Sequence, residues 1–226
     1  MSSIEKVIFV HGAWVDSNCW DKARALLETA GVSTLAVHLP LTSLAADASV
    51  VAQAIAAEKG PVLLVGHSYG GAVITQAGAE AKVAGLVYIN AFVPDIGESA
   101  LGLTALAEPS RMSSEIRPDD RGFLSLTRDG VTEGFAQDVT SQEQDEIFKT
   151  QRPTSGEALS TPVSQAAWHD KPTWYLIATA DNAIPLALQE IFVNKIDAVT
   201  ARVDAGHCSM VSQPRAVADL VLLAIR

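Results

Sequence analysis

The sequence predicts an α/β protein with a mainly parallel sheet of about six strands covered by helices on both faces, and three observations carry that expectation. Short β-branched runs recur along the chain and are apolar on both faces, the pattern of strands buried in a parallel sheet. Segments with apolar residues at helical spacing alternate with them. Turn signals lie at the ends of the strand-like runs.

The expected strands are Val7–Val10, Ser33–His38, Val62–Val65, Gly85–Ile89, Thr173–Ala178 and Ala201–Val203. Between them, residues Ser17–Ala30, Ala45–Lys59, Tyr69–Ala79, Leu186–Lys195 and Pro214–Ile225 carry the helical spacing. In the last of these, Ala216, Val217, Leu220, Val221 and Ala224 form one stripe. Pro214 suits a first turn, where a missing N–H costs least, and Ser212 is the expected cap.

The alternation breaks over about residues 95–168, where Gly, Pro, Ser and charged residues are frequent. This reads as an insertion, expected to act as a cap or lid, within a single domain spanning 1–226. Inside it, Phe123–Thr127 and Val131–Glu133 flank Arg128-Asp129-Gly130, which reads as a hairpin turn with Gly130 supplying the positive φ.

Composition narrows the function classes. At 226 residues with 48% hydrophobic and 19% charged residues, the chain can bury a sizeable core and is not disordered. Its formal net charge of −10, with no cluster of Lys and Arg, argues against a nucleic-acid partner. Cys19 and Cys208 have neither disulfide-scaffold nor metal-ligand spacing, so no metal site is expected. Met1 to Lys6 leads into the first strand without a secretory h-region, and no apolar run approaches membrane-spanning length; a cytoplasmic protein away from the membrane is the expectation.

Gly66-His67-Ser68-Tyr69-Gly70 has the form G-x-S-x-G, extended by Gly71. The motif follows the strand Val62–Val65 and opens the helix at Tyr69, the strand-turn-helix setting that a nucleophile elbow needs. A dinucleotide-binding reading fails because Ser68 stands where the second Gly of G-x-G-x-x-G belongs, and a phosphate-binding loop fails for want of its Lys.

A serine hydroxyl needs a base oriented by a carboxylate. His207, in Asp204-Ala205-Gly206-His207 between the last strand and the last helix, is the first candidate base. His11 at a strand end reads as structural, His67 points away from Ser68, and His38 and His169 have no supporting pattern. Asp181, in the loop after Thr173–Ala178, is the first-choice carboxylate and gives the order Ser, Asp, His; Asp95 is the alternative, and either also fits a helix cap. Two backbone N–H groups are needed for an oxyanion: Tyr69 supplies one as the residue after the nucleophile, and Ala13, among the small residues of His11-Gly12-Ala13-Trp14, supplies the other. Gly12 and Trp14 are candidate substrate contacts, Trp14 serving equally well as a core residue. Cys208 reads as packing, since nothing activates it.

With these residues together, the chain resembles the α/β-hydrolase superfamily over nearly its whole length, and is most similar to the plant methyl-esterase and hydroxynitrile-lyase group with its bacterial esterase relatives. The carrying motifs are His11-Gly12-Ala13 with Trp20, Gly66 to Gly71, Tyr175 to Asp181 followed by Ile184-Pro185, and Gly206-His207 with Pro214. The resemblance implies a Ser68-His207-Asp181 triad, an oxyanion hole at Ala13 and Tyr69, and no cofactor. Lyases of the group place Thr at Gly12 and Lys at Cys208, so both positions favour hydrolysis.

The expected activity is hydrolysis of a small, largely apolar or aromatic ester, with water as co-substrate. Carbon–carbon cleavage, perhydrolysis or cyanohydrin cleavage at the same site, and a small-molecule receptor with little turnover, are the alternatives. The sequence carries no indication of oligomeric state.

Overall fold

A computed structural model describes residues 4–226. Part of the N-terminal stretch read for a targeting signal, residues 1–3, lies outside the described residues. The elements run β1 (Lys6–Val10), α1 (Asp21–Thr29), β2 (Thr34–Val37), α2 (Leu44–Ala57), β3 (Val62–His67), α3 (Tyr69–Ala77), β4 (Val83–Ile89), α4 (Ala100–Leu103), β5 (Ile116–Pro118), β6 (Phe123–Leu126), α5 (Ser141–Thr150), β7 (Thr154–Ser155), α6 (Gly156–Ser160), β8 (Thr173–Ala178), α7 (Leu186–Ile196), β9 (Val199–Val203), α8 (Ser209–Ser212) and α9 (Pro214–Ala224).

Six strands form one parallel sheet in the order β2-β1-β3-β4-β8-β9. The order reverses between β1 and β3, whose carboxyl ends are level, with Val10 opposite Gly66. Chains leaving the two strands there turn to opposite sides, which opens a crevice at the strand ends where ligands of open α/β sheets bind.

Burial follows position in the sheet. Every residue of β3 is buried, as are four of the five in β1. The edge strands differ: β2 is only partly buried and β9 alternates exposed with half-buried residues, so neither is apolar on both faces as expected. An edge strand has one sheet neighbour and thinner helix cover, which is why β9 begins two residues earlier than its apolar signal.

The first helix is also shorter than its spacing suggested. Asp16 accepts from the Asn18 N–H at 2.9 Å and starts a 3₁₀ turn over Ser17–Trp20, from which α1 continues. At the other end of the chain Ser212 is not the cap of α9: it closes α8, and Gln213 occupies the capping position without a side-chain bond.

Between β4 and β8 lies a second, antiparallel sheet in the order β5-β6-β7, with α4, α5 and α6 around it. The hairpin expected at Arg128-Asp129-Gly130 does not form. Thr127 Oγ1 accepts from the Gly130 N–H at 3.0 Å and its carbonyl accepts from Val131 at 3.1 Å, so the chain coils into a π-helical turn over Gly130–Phe135. Strand β6 pairs instead with β5 and β7, and Gly130 keeps a negative φ. Among the described residues no helix is long and apolar enough to cross a membrane.

Candidate active site

Ser68 sits between β3 and α3 with φ 52° and ψ −122°, a left-handed conformation costly for any residue with a Cβ. The turn is tight because α3 packs directly on the end of β1: a Cβ on Gly70 would lie 2.4 Å from the Val10 carbonyl oxygen. The Ser68 carbonyl accepts from Gly71 at 3.0 Å and Phe92 at 3.1 Å, which ties the elbow to the chain leaving β4.

Asp181, in the loop after β8, is held by two backbone groups: its Oδ1 accepts from Ala183 at 2.7 Å and Ile184 at 2.8 Å. Its Oδ2 is left for His207, whose Nδ1–H donates to it at 2.8 Å. Both residues are buried. That bond fixes the tautomer and leaves His207 Nε2 as a bare acceptor.

The structure adds three supports that motif reading passed over. Asn90, at the end of β4, donates from Nδ2 to the His207 carbonyl at 2.7 Å, and its own amide is oriented by the Ser209 hydroxyl, 2.6 Å from Oδ1. Gln189, buried in α7, accepts from Ala178 N–H at 3.0 Å and donates to the Ala178 and Ile184 carbonyls at 3.0 and 2.8 Å, bracing the Asp181 loop. Phe135 packs edge-on against His207 with ring centroids 5.1 Å apart. A polar residue within an otherwise apolar strand or helix was the available signal for Asn90 and Gln189; Phe135 carried none.

The other histidines take the structural places expected of them. His11 donates from Nδ1 to the Gly12 carbonyl at 2.8 Å and accepts on Nε2 from Leu39 N–H at 3.0 Å. Burial pulls its pKa down to about 4, so the ring stays neutral. His67 donates from Nε2 to the His207 carbonyl at 2.9 Å, beside Asn90. Burial, followed by the neighbouring His207, holds its pKa well below the usual range, and its Nδ1 has no partner among the described residues. The carboxylate bonded to His207 is Asp181 and not Asp95, which lies in the chain after β4 and bonds the His169 ring at 2.8 Å.

Ser68 and His207 line one cavity of about 300 Å³. Ala13 and Tyr69 line it too, and neither backbone N–H has a hydrogen-bond partner among the described residues. Tyr69 is anchored from behind by its hydroxyl, which donates to buried Asp47 Oδ2 at 2.7 Å. Burial raises the Asp47 pKa against the pull of its bonds from Tyr69 and Leu41. Trp14 is among the residues lining the cavity, and Gly12 is not. Gly12 lies behind Ser68, where an added Cβ would fall 2.8 Å from Ser68 Cβ. Cys208 is fully buried, outside the cavity wall, and burial drives its thiol pKa up, which keeps it protonated and inert.

The remaining wall is mostly apolar, with Phe92, Met112, Ile116, Leu159, Ile184 and Leu188 in it and Thr104, Ser110 and Ser113 as its hydroxyl-bearing members. Among the described residues Glu108 is the only acidic side chain lining it, and no Lys or Arg does. Among the described residues no three His, Cys, Asp or Glu side chains group closely enough to hold a metal ion.

A histidine bonded to a buried carboxylate, a serine on a strained turn and two N–H groups without a partner among the described residues, around one mostly apolar cavity, form a set suited to acyl transfer. Residues 7–220 match the alpha/beta hydrolase family. The chain belongs to that family. It is therefore an enzyme of hydrolase type, with the sheet and helices expected of the fold. Among its relatives, the pyrethroid hydrolase of Sphingobium wenxiniae is 27% identical, with 97% of this chain and 87% of that protein covered. Methylesterase 7 of Arabidopsis thaliana is 25% identical over 96% of this chain and 95% of its own length. The crystal structure of a pyrethroid hydrolase from Sphingobium faniae superposes with a TM-score of 0.85 at 23% identity, covering 97% of this chain and 96% of that one. Plant methylesterases and bacterial hydrolases thus stand among the relatives of this family member, as its motifs indicated.

Proposed function

We propose that this alpha/beta hydrolase is a cofactor-independent serine esterase that cleaves a small, uncharged, largely apolar or aromatic ester through an acyl-enzyme on Ser68. The observation that carries the reading is the 2.8 Å contact of His207 Nδ1 with Asp181 Oδ2: with Nδ1 committed to the carboxylate, Nε2 is the nitrogen left to accept a proton in the cavity that Ser68 shares. The methylesterase named among the relatives supports an ester as the bond that is cut.

In this mechanism Ser68 Oγ attacks the ester carbonyl while His207 Nε2 takes the hydroxyl proton. The Ala13 and Tyr69 N–H groups receive the negative charge that develops on the carbonyl oxygen. Asp181 stabilises the imidazolium, which then protonates the departing alkoxide. Water enters, His207 takes its proton, and collapse of the second tetrahedral intermediate releases the acid and restores Ser68. The apolar wall supports an apolar substrate: without Lys or Arg, a free carboxylate or phosphate would be buried unpaired at high cost.

The test is hydrolysis of p-nitrophenyl esters by the wild type and by Ser68→Ala. The variant should lose on the order of 10⁴-fold or more in kcat, and a fluorophosphonate should label the wild type alone. Equal turnover by the two proteins would falsify the assignment.

A further inference from the structure

Trp14 follows the candidate oxyanion donor Ala13 and holds φ 62°, the left-handed region that a bulky residue avoids. Left to itself the chain would relax to negative φ there, turning the peptide that joins Ala13 to Trp14. Two bonds oppose the relaxation, and both come from the antiparallel sheet between β4 and β8. The Trp14 N–H donates to Thr154 Oγ1 at 3.3 Å, and its indole Nε1–H donates to the Leu124 carbonyl at 2.9 Å. Leu124 and Thr154 are direct partners in the pairing of β6 with β7, so the two acceptors form one rigid edge.

That edge is itself fastened. Thr154 is fully buried and its hydroxyl donates to the Arg152 carbonyl at 3.3 Å, which turns the lone pair toward Trp14. Ser155 N–H donates to the Leu41 carbonyl at 2.9 Å, and the Arg152 guanidinium donates to the Leu39 carbonyl. The loop after β2 therefore ties β7 to the main sheet, and Leu39 closes the circuit through His11, whose ring bonds Gly12.

We propose that Thr154 is a positioning residue for catalysis: with the Leu124 carbonyl it clamps Trp14 in the left-handed conformation and so aims the Ala13 N–H into the oxyanion site. This rests on the esterase reading above. The segment between β4 and β8 then does more than wall the cavity; its sheet sets the geometry of the catalytic loop. Oxyanion donors act by being fixed before the charge develops, so loosening Trp14 lowers kcat and leaves substrate binding largely intact.

Thr154→Val keeps the side-chain shape and removes the acceptor, whereas Thr154→Ser keeps the hydroxyl. Steady-state kinetics on a p-nitrophenyl ester, amide hydrogen exchange at Trp14 and thermal denaturation are measured for all three proteins. Thr154→Val should lose roughly 10- to 100-fold in kcat, with KM within about two-fold and faster exchange at Trp14; Thr154→Ser should stay close to wild type in each. A Thr154→Val protein with wild-type kcat overturns the inference, and so does a Thr154→Ser protein that loses as much activity as the valine variant. Failure of the esterase reading looks different: the wild type itself would neither hydrolyse the ester nor react with a fluorophosphonate.

Discussion

Asn90 shows how much of the site depends on groups that never touch the reacting atoms. Its amide and the His67 ring both donate to the His207 carbonyl, so the base is held by its backbone as well as by Asp181. Asn90→Ala leaves that carbonyl one donor short and removes the partner of Ser209, at a cost of about 1–3 kcal/mol in stability. It should also lower kcat roughly ten-fold as the ring drifts from alignment; kinetics beside urea denaturation would show this, and an unchanged kcat would remove Asn90 from the site. Gly12 is constrained by space. Its added Cβ would meet Ser68 Cβ at 2.8 Å and His67 Nδ1 at 3.0 Å, so Gly12→Ala is expected to cost about 1–3 kcal/mol. Displacement of Ser68 should make its loss in kcat/KM larger than the loss of stability alone explains. Ser68, Asp181 and His207 were legible because each stands in a fixed relation to a strand end. The roles of Asn90 and Gln189 were not, because a polar residue among apolar ones marks itself but does not name its partner until that partner, more than a hundred residues away for His207 and eight for Asp181, is placed beside it.

At the scale of elements, the six strands and five long helices followed from periodicity, while the insertion did not. Phe123 to Glu133 has the alternation and the Gly of a hairpin, yet Thr127 captures the Gly130 N–H and turns the chain into a helical coil. A side-chain bond of that kind competes with strand pairing wherever Thr precedes a turn. The consequence reaches the site, since the coil ends on Phe135, buried against Trp14, His67 and His207. Phe135→Ala should destabilise the fold by about 3–5 kcal/mol and reduce turnover, whereas Phe135→Leu should recover most of the stability. Urea denaturation of both variants checks this, and equal midpoints would show that refilling the space recovers nothing and that the loss lies in the aromatic contacts themselves.

Across the whole molecule, the buried rings of His11 and His67 are expected to set the acid limit. His11 binds its proton only near pH 4 in the folded state but near 6.5 when unfolded, so its contribution is complete above pH 6.5 and is lost as pH falls from 6.5 to about 4. At ~1.4 kcal/mol per pH unit that interval bounds the loss at roughly 3 kcal/mol. His67 acts with the same sign; Asp47, its carboxyl raised by burial, takes up its proton more readily when folded and offsets part of the loss at the acid end. Stability measured by urea between pH 7 and pH 4 should fall, and fall less in His11→Gln. A His11→Gln curve parallel to wild type would assign the acid sensitivity elsewhere. The sequence by itself determined the parallel sheet, the chain order of Ser68, Asp181 and His207, and the small residues around them, because strand burial, turn geometry and close packing each leave a local pattern. Only the tertiary structure decided that Asp95 pairs with His169, that Gly12 backs Ser68 instead of lining the cavity, and that Thr154 and Leu124 hold Trp14. Those contacts join positions 56 to 140 residues apart, and which distant groups meet is fixed by how the two sheets pack, not by any pattern the chain carries locally.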